Sequence, residues 1–565
     1  MEINVQAQDP DSVPPIHLPP NLRIAFIHPD LGLGGAERLV VDAAVALQKR
    51  GHEVEVFTSY HEDGAKGRSF DETRNGTLTV HVLGNSIFPR SILGRFTIIC
   101  AMLRQLHLVF SFLLAAFLYH ASSWPLLSLF ALPVETPFRS SSDWSPRRQL
   151  EPFDVIVIDQ LSTGIPLLRW FGGNRVVFYC HFPDQLLSPS SSAALSSPHD
   201  PRAGTPFSIA AEVRKTYRAP IDALEQATTG EADKILVNSE FTAQVFERTF
   251  PALRRQPRVV YPSVDLQQYG NEVAKVEEQD RWLVSDKPML LSINRFEGKK
   301  DLSLAVDAFA KVRAAGSHPG LRLICAGGYD PRLGDNVRTL SNLQQLVGKL
   351  GLSQHAYSAS ALPDVPSPVP ARSRPTISPS PPPADASPPD VLFLLNISAA
   401  QKSLLLSPSQ SGAVALLYTP MFEHFGIVPL EGMASGLPVL ATTTGGPTET
   451  VVDRGLPSSA DEAADGAWTE TTGLLRPRDP VAWSEALSAL LALSPAQRAQ
   501  LGRAGKERVR SFFSQERLGE DFERACVDAA KKGWPIVSEV GFKKMCMFFG
   551  IMTVCFVASV VAVVV

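Results

Sequence analysis

Cysteine is scarce in this chain. Six cysteines are spread over 565 residues, and they form neither a C-x-x-C pair nor a framework spacing. A disulfide scaffold is therefore excluded, and the bulk of the chain is expected to be reduced and cytosolic. Residues 1–20 contain no apolar core of the kind that a cleaved secretory signal needs. We predict a disordered tail over 1–20 and no cleaved leader.

Charge of one sign is also lacking. The chain holds 53 basic and 57 acidic side chains, which give a formal net charge of −4. A general polyanion binder, such as a nucleic-acid-binding protein, carries a much larger basic excess. We therefore expect no nucleic-acid partner, and any recognition of phosphate has to come from a few cations at one place.

Apolar residues, by contrast, are plentiful. They make up 44% of the chain, which at roughly 150 residues per domain is enough for about two to four domains with hydrophobic cores. A mini-protein and a mostly disordered chain are thus excluded. The 46 prolines are clustered, and segments biased towards proline, serine and alanine are predicted to be disordered insertions. These segments are 140–148, 188–205 and 357–390.

Two stretches are candidates for contact with a membrane. Residues 545–565 carry no charged side chain, and about 20 apolar residues can cross a bilayer as a helix, so we predict a transmembrane anchor there. A buried terminal helix is the alternative. Lysines just before residues 545–565 favour a cytosolic location for the main body.

The stretch 96–119 is apolar but includes Arg104 and His107. An interfacial helix and a packed helix of a globular domain both stay open for it, and a true span is least favoured.

Strand and helix patterns alternate twice along the chain. Short apolar runs such as VIVID and RVVFYC are typical of buried strands, and helical patterns lie between them. A second alternating series begins near Pro288. The predicted fold class is therefore α/β, with two Rossmann-like, doubly wound domains facing a cleft. The N-terminal domain is predicted over 21–260 and the C-terminal domain over 261–530.

Two loops have the composition of anion-binding sites. Gly32, Gly34 and Gly35 lie between a predicted strand and a predicted helix, where backbone amides can face a phosphate. Their spacing is not that of the dinucleotide fingerprint. The segment SINRFEGKK follows another strand and contains Arg295 and Lys300. Open α/β sheets bind ligands at such strand ends, although a solvated basic loop is the alternative.

The most informative segment is YTPMFEHFGIVPLEGMASGLPVLATTTGGP. Its predicted strand, helix and strand place Glu423 in a loop and Glu431 on the first turns of the helix. Both carboxylates can then point into one cleft. Gly445 and Gly446 form a further turn whose amides can meet phosphate oxygens. A surface helix with incidental glutamates is the alternative.

Together these motifs resemble a known family. Seven residues separate Glu423 from Glu431, which matches the E-x7-E signature of retaining glycosyltransferases with the GT-B fold. The set HPDLGLGGAERLV, YCHFPDQLL, VNSEFTA, YPSVD, INRFEGKKDL and LLYTPMFEHFGIVPLEG is similar to the α-1,3/1,6-mannosyltransferases that build the dolichol-linked oligosaccharide. The resemblance covers about 21–530, apart from the insertions.

The resemblance implies an activity, substrates and a location. Mannose would pass from GDP-mannose, with retention, to a dolichyl-diphosphate oligosaccharide, first in α-1,3 and then in α-1,6 linkage. The lipid-linked sugar would thereby go from one mannose to three. The enzyme would lie at the endoplasmic reticulum membrane with its catalytic domains on the cytosolic face. A complex with other glycosyltransferases of the pathway is a further candidate partnership.

The resemblance also implies roles for single residues. Arg295 and Lys300 would bind the donor diphosphate, Glu431 the nucleotide ribose and Glu423 the sugar. The implied catalytic side chains are Glu423, His181, Arg295 and Lys300. The implied donor-binding residues are Gly35, Arg295, Lys300, Glu423, Glu431, Gly445 and Gly446. His181 corresponds to a family histidine near the transferred sugar, and Glu449, in GGPTET, is a weaker addition.

No cofactor and no metal ion is expected. The one D-x-D triplet lies in the predicted tail over 1–20, and fixed cations can stabilise the leaving diphosphate in place of a metal. Retention without an evident nucleophile favours front-face attack, with a covalent bond to Glu423 as the alternative. A glycosyltransferase with another acceptor and a non-catalytic scaffold of a glycosylation complex are the other functions that the residues leave open.

Overall fold

The computed structural model describes residues 21–62, 69–84, 87–91, 97–122, 153–183, 209–269, 276–284, 287–363, 368–383, 387–456, 467–532 and 550. Four predicted segments fall outside these residues: 1–20, 140–148, 188–205 and, except for Gly550, 545–565. The described residues divide into two compact units. The first lies within Met1–Val237, Val245–Val260 and Leu518–Val565, and the second within Asn238–Gln244 and Tyr261–Arg517.

A parallel sheet of seven strands forms the centre of the first unit. Its strands are β1 (Arg23–His28), β2 (Glu53–Thr58), β3 (Thr79–Val82), β4 (Val155–Asp159), β5 (Arg175–Cys180), β6 (Lys234–Val237) and β7 (Arg258–Val259). Their order in space is β3-β2-β1-β4-β5-β6-β7, and neighbouring strands are parallel. Strands β1, β4 and β5 are buried along their whole length, as is usual in sheets covered on both faces.

The second unit contains another parallel sheet of seven strands. Its strands are β8 (Met289–Ile293), β9 (Arg322–Gly327), β10 (Gln354–Ser358), β11 (Val391–Leu395), β12 (Ala413–Tyr418), β13 (Val439–Thr442) and β14 (Gly473–Arg476). Their order in space is β10-β11-β9-β8-β12-β13-β14. The prediction of two doubly wound α/β domains is confirmed.

Each sheet reverses its strand order at one place. In the first sheet the chain runs from β1 towards β2 and β3, and later strands begin on the other side with β4. In the second sheet the same reversal separates β8 from β12. Loops that leave the carboxyl ends of strands at such a reversal diverge and open a crevice for ligands. The connections after β1, β4, β8 and β12 are therefore the places to look for function.

Helices and short turns connect the strands. The helices are α1 (Gly35–Lys49), α2 (Thr97–Ser122), α3 (Ile165–Trp170), α4 (Ile209–Gly230), α5 (Glu240–Thr249), α6 (Leu302–Ala314), α7 (Gly334–Lys349), α8 (Ala399–Leu406), α9 (Pro408–Ser411), α10 (Ile427–Ala434), α11 (Pro447–Thr450), α12 (Pro480–Ala492), α13 (Pro495–Phe512) and α14 (Gln515–Ala530). The 3₁₀ turns are Asp71–Thr73, Pro251–Leu253, Glu278–Leu283, Gly298–Lys300, Ala371–Ser373 and Ala467–Glu470. Helices α8 and α13 begin with capping boxes at Ser398 and Ser494.

The last described helix, α14, belongs mainly to the first unit. From Leu518 onwards its residues pack there, and the ring of Phe522 stacks on that of Tyr179 with 5.6 Å between centroids. The second unit thus ends before 530, unlike the predicted C-terminal domain. The sequence periodicity of α14 predicts an apolar helix face. It does not predict which of the two sheets this face packs on.

The segment 357–390 differs from the predicted disordered insertion in the parts that the structure describes. Tyr357 and Ser358 complete β10, and Val369 is buried in the core of the second unit. The amide of Ser378 donates to the carbonyl of Ala356 at 2.7 Å. The disorder prediction relied on the average composition of the whole segment, which is rich in proline. A few apolar residues that anchor the segment contribute little to that average.

Helix α2 covers most of the apolar stretch 96–119 and packs one face on the first unit. Gln105 is buried, and its amide nitrogen donates to the carbonyl of Leu161 at 2.7 Å. Arg104 forms an ion pair with Asp30, with Nη1 and Oδ2 2.9 Å apart. By length and composition Thr97–Phe117 could cross a bilayer, but a third of that span is buried in the protein. The structure therefore supports a packed helix, one of the two alternatives kept open for this stretch.

The packing of α14 leads to a stability prediction. Replacing Phe522, which is 1% exposed, by alanine should lower the free energy of unfolding by about 3–5 kcal/mol, because the ring leaves a cavity in the first unit. Phe512→Ala is the matched control, since that ring is 52% exposed and its loss should cost less than about 1 kcal/mol. Urea unfolding of the full chain measures both. Equal losses would contradict the packing of α14.

Candidate active site

The basic loop follows β8, at the reversal of the second sheet. Phe296 is fully buried and anchors the loop, and its amide donates to the carbonyl of Gly328 at 3.0 Å. Arg295 is mostly exposed, with Nη1 2.8 Å from Oε1 of Glu297. Lys300 ends the 3₁₀ turn and is largely buried. The loop therefore presents two exposed cations, Arg295 and Lys299, and the largely buried cation of Lys300 at the carboxyl edge of the sheet.

The loop that carries Glu423 follows β12, the strand beside β8. It contains two residues with positive φ, Phe422 at 52° and Gly426 at 85°. A Cβ atom at Gly426 would lie 2.9 Å from the hydroxyl of Tyr418, so the glycine is required by both conformation and space. Burial raises the pKa of the Tyr418 hydroxyl well above its usual value, and the nearby carboxylate of Glu423 raises it further. The loop is thus bent so that Glu423 lies close to Tyr418, at the end of β12.

Lys300 and Glu423 form an ion pair. Burial by itself would raise the pKa of Glu423, but the cation of Lys300 outweighs it, with smaller contributions from His424 and Lys299, and the pKa lies below its usual value. Glu423 is therefore ionised at neutral pH, and the ion pair is lost as acid protonates this carboxylate below the ordinary carboxyl range. The sequence predicted both residues, and the structure brings them into contact.

Glu431 lies on α10, directly after the Glu423 loop, and is buried. Its Oε1 atom accepts from the Tyr269 hydroxyl at 3.0 Å and from Nζ of Lys402 at 2.6 Å. Its Oε2 atom is buried and has no hydrogen-bond partner among the described residues. A buried acceptor without a donor is costly, so this oxygen is suited to a hydroxyl group of a ligand.

Sequence reasoning missed Tyr269 and Lys402. Tyr269 lies 162 positions before Glu431, and no motif links the two. Lys402 is in the second turn of α8, where a lone lysine is typical of a solvated helix face. Only the fold shows that these side chains share one carboxylate oxygen.

Gly445 and Gly446 support Glu423 and do not simply offer amides to a ligand. The amide of Gly446 donates to the carbonyl of Glu423 at 2.8 Å, and its contact with a phosphate stays a prediction. Gly445 has φ of 73°, and a Cβ atom there would lie 2.4 Å from the same carbonyl oxygen. Because neither glycine has a side chain, the backbone at Gly445 and Gly446 can approach the backbone of the Glu423 loop closely. This contact fixes the position of the Glu423 loop.

Glu449 caps a helix. Its two carboxylate oxygens accept from the backbone amides of Glu240 and Phe241, at 2.8 and 2.7 Å, at the start of α5. The Tyr261 hydroxyl donates to it at 3.2 Å. Burial raises the pKa of Glu449 although these three donors act in the opposite direction. The structure thus gives this residue a structural task, in place of the weaker donor role suggested by the resemblance.

The first unit holds the other two predicted site residues. Gly35 is the first residue of α1 and follows Gly34, which has no side chain to cap the helix. His181 follows β5 directly, and its Nε2 lies 2.9 Å from Oδ2 of Asp159. Sequence reasoning missed Asp159, because a final aspartate in VIVID reads as the polar end of a strand.

Comparison with known proteins shows which families and folds the chain resembles. The profile described as "Glycosyl transferase 4-like domain" matches 34–263, and "Glycosyl transferases group 1" matches 388–508. The fold resembles sucrose-phosphate synthase from Thermosynechococcus elongatus, with a TM-score of 0.56 and 19% identity over 89% of this chain and 98% of that one. The catalytic domain of starch synthase IV from Arabidopsis thaliana gives a TM-score of 0.55 and 13% identity over 90% and 99%.

Two Rossmann-like units, with a lysine–glutamate pair and a second glutamate at the carboxyl edge of one sheet, define a glycosyltransferase of the GT-B class. Curated relatives narrow this further. The chain is 38% identical to "Alpha-1,3/1,6-mannosyltransferase ALG2" of Rhizomucor pusillus over 90% of this chain and 92% of that protein. It is 36% identical to the protein of the same name from Saccharomyces cerevisiae over 88% and 83%. The chain belongs to the α-1,3/1,6-mannosyltransferase family.

The glycine contacts predict a loss of activity without unfolding. In Gly446→Ala the new Cβ atom would lie 2.3 Å from the backbone of Phe425, so the Glu423 loop must shift. A shift near 1 Å can lower the transfer rate by about 100-fold. Gly348→Ala in α7 is the control, since a Cβ atom there meets nothing within 4 Å. It should keep full activity in a transfer assay. Equal activity of the two variants would contradict the supporting role.

Proposed function

We propose that this protein transfers mannose from GDP-mannose, with retention, to a dolichyl-diphosphate oligosaccharide, adding an α-1,3 and then an α-1,6 mannose. One observation carries the proposal: the Lys300–Glu423 pair lies at the carboxyl edge of the second sheet together with Glu431, whose Oε2 is unpartnered there. The name of the relatives from Rhizomucor pusillus and Saccharomyces cerevisiae specifies the sugar and the two linkages.

The basic loop is suited to a diphosphate. In the structure the cations of this loop are paired with carboxylates, Arg295 with Glu297 and Lys300 with Glu423. A bound diphosphate would compete for both cations, because its two phosphate groups together carry more negative charge than one carboxylate. Glu423 would then be released from part of its pairing and could accept hydroxyl groups of the sugar. The ligand-free pairing thus keeps the buried charges compensated until the donor arrives.

Glu431 is suited to the nucleoside part of the donor. Tyr269 and Lys402 already occupy Oε1, so Oε2 is the atom that would accept from a ribose hydroxyl. A ribose hydroxyl would remove the cost of the orphan oxygen, and this gain contributes to donor affinity.

In the reaction the bond between mannose C1 and the diphosphate oxygen breaks, and its electron pair leaves with GDP. C1 forms a bond to an acceptor hydroxyl oxygen, and in the front-face route the hydroxyl proton passes to the departing diphosphate. Arg295 and Lys300 would stabilise the growing negative charge on the diphosphate. Glu423 would stabilise positive charge on the sugar. A covalent bond from Glu423 to C1 is the alternative route.

The location proposed is the cytosolic face of the endoplasmic reticulum membrane. The uncharged segment 545–565 is the proposed anchor. Helix α2 also exposes a row of apolar side chains, Phe110, Leu114 and Phe117, on the face that is not packed on the first unit. Their spacing places them on one side of the helix, which favours contact with the membrane interface as well as packing.

A product assay tests the function. Purified full-length protein incubated with GDP-mannose and a lipid-diphosphate acceptor that carries one mannose should add two hexoses, which mass spectrometry counts. Activity should persist in EDTA, because we propose that side-chain cations replace a metal ion. Transfer from another nucleotide sugar but not from GDP-mannose would refute the donor, and a product with one added hexose would refute the second linkage.

The basic loop predicts a turnover effect. Arg295→Ala and Lys300→Ala should each lower kcat by about 100- to 1000-fold, since each removes one group that stabilises the leaving diphosphate. Lys311→Ala provides a matched loss of charge at an exposed position of α6 and should leave kcat unchanged. Circular dichroism checks that the fold is kept. Near-normal kcat in both loop variants would exclude the diphosphate assignment.

A further inference from the structure

A chain of three polar side chains lies at the reversal of the first sheet. His28 is the last residue of β1, Asp159 is the last residue of β4, and His181 follows β5 directly. These strands are neighbours in the order β1-β4-β5 and are parallel, so their carboxyl ends meet at one edge. The three side chains therefore converge although they are far apart in sequence.

Asp159 lies between the two imidazole rings. Its Oδ1 and Oδ2 atoms are 2.8 and 3.0 Å from Nδ1 of His28, and Oδ2 is also 2.9 Å from Nε2 of His181. Asp159 is 2% exposed and His28 is completely buried. A carboxylate in such a place needs strong donors. Here it has one ring on each side.

The contacts of His28 show its protonation state. Nδ1 faces the carboxylate of Asp159, and Nε2 lies 3.1 Å from the carbonyl oxygen of Asp30. The carbonyl oxygen accepts hydrogen bonds only, as does Asp159 when it is ionised, so this arrangement suits a His28 ring that carries protons on both nitrogens. Burial alone would lower the pKa of His28, but Asp159 outweighs it, Glu37 of α1 adds to the effect, and the pKa is raised.

The same pairing keeps Asp159 ionised. Burial would raise the pKa of Asp159, but His28 and His181 hold it at about 2. An ionised carboxylate accepts, so Nε2 of His181 donates to it. The contribution of Asp159 to stability is present above its ordinary pKa and is lost as the pH falls towards 2. That of His28 is present below its ordinary pKa and is lost as the pH rises past its raised value.

We infer that Asp159, held by a protonated His28, is a positioning residue for the transfer: it fixes the ring of His181 with the proton on Nε2. The inference rests on the proposed function and on the place that the family resemblance implies for His181, near the transferred sugar. His28 and Asp159 together are neutral, so they orient His181 without adding net charge to this edge of the sheet. Neither residue was predicted from the sequence, and His28 acts on His181 only through Asp159.

Kinetics of single and double variants test the coupling. Asp159→Asn and His28→Gln should each lower kcat about 10- to 100-fold, as other losses of an orienting partner do, while the KM for GDP-mannose stays nearly constant. In a His181→Ala background, Asp159→Asn should have no further effect on kcat, because it acts through the missing ring. Effects that multiply in the double variant would overturn the inference. If Asp159→Asn does not fold, His28→Gln is combined with His181→Ala in the same way.

A second buried histidine–carboxylate pair in the same sheet provides the control. Nε2 of His81 lies 2.8 Å from Oε2 of Glu55, and both residues are buried. Glu55→Gln should lower stability through the same kind of lost contact but should leave kcat unchanged. If Glu55→Gln lowers kcat as much as Asp159→Asn does, the effect is one of stability and the positioning role fails.

Imidazole nitrogen NMR separates this inference from the proposed function. With ¹⁵N-histidine labelling at about pH 7.5, above the ordinary histidine pKa, His28 should still give an imidazolium signal and His181 an Nε2–H signal. His28→Gln and His181→Ala assign the two signals. Asp159→Asn should abolish the imidazolium. A neutral His28 in a wild-type protein that transfers mannose would overturn the inference alone. The expected signals in a protein that transfers no mannose would overturn the proposed function and, with it, the positioning role.

Discussion

The ion pair between Lys300 and Glu423 is the constraint on which the rest of the site depends. It joins the loops that follow β8 and β12, the two strands at the reversal of the second sheet. Neither charge is stable alone in such a buried position, because an unpaired buried ion loses its hydration without compensation. Each loop therefore holds the other in place. The two loops are therefore joined without any ligand.

The same solution recurs in both units. Glu423 is compensated by Lys300, Glu431 by Lys402, and Asp159 by His28. Each of these carboxylates is buried or partly buried and contacts a basic side chain from another element of the fold. This explains how a chain with almost no net charge can handle a highly charged donor: the charges are placed in pairs at strand ends.

Sequence reasoning reached the fold and most of the charged site because those features are local. Buried strands produce continuous apolar runs, and E-x7-E places two glutamates on one loop and helix. It failed where contacts are distant. Tyr269, Lys402, His28 and Asp159 carry no local signal, because each is an ordinary residue for its strand or helix. The ordered part of 357–390 was hidden by its average composition, and its few anchoring side chains decide its structure.

The amino-acid sequence alone determined the class of the protein, since strand and helix periodicity, glycine turns and the spacing of the two glutamates all depend on residues close together in the chain. The tertiary structure decided which partners these residues meet. It assigned α14 to the first sheet, committed the Gly446 amide to Glu423 and joined two histidines through one aspartate. Those choices follow from the order of parallel strands in space, because only that order brings distant strand ends to a common edge.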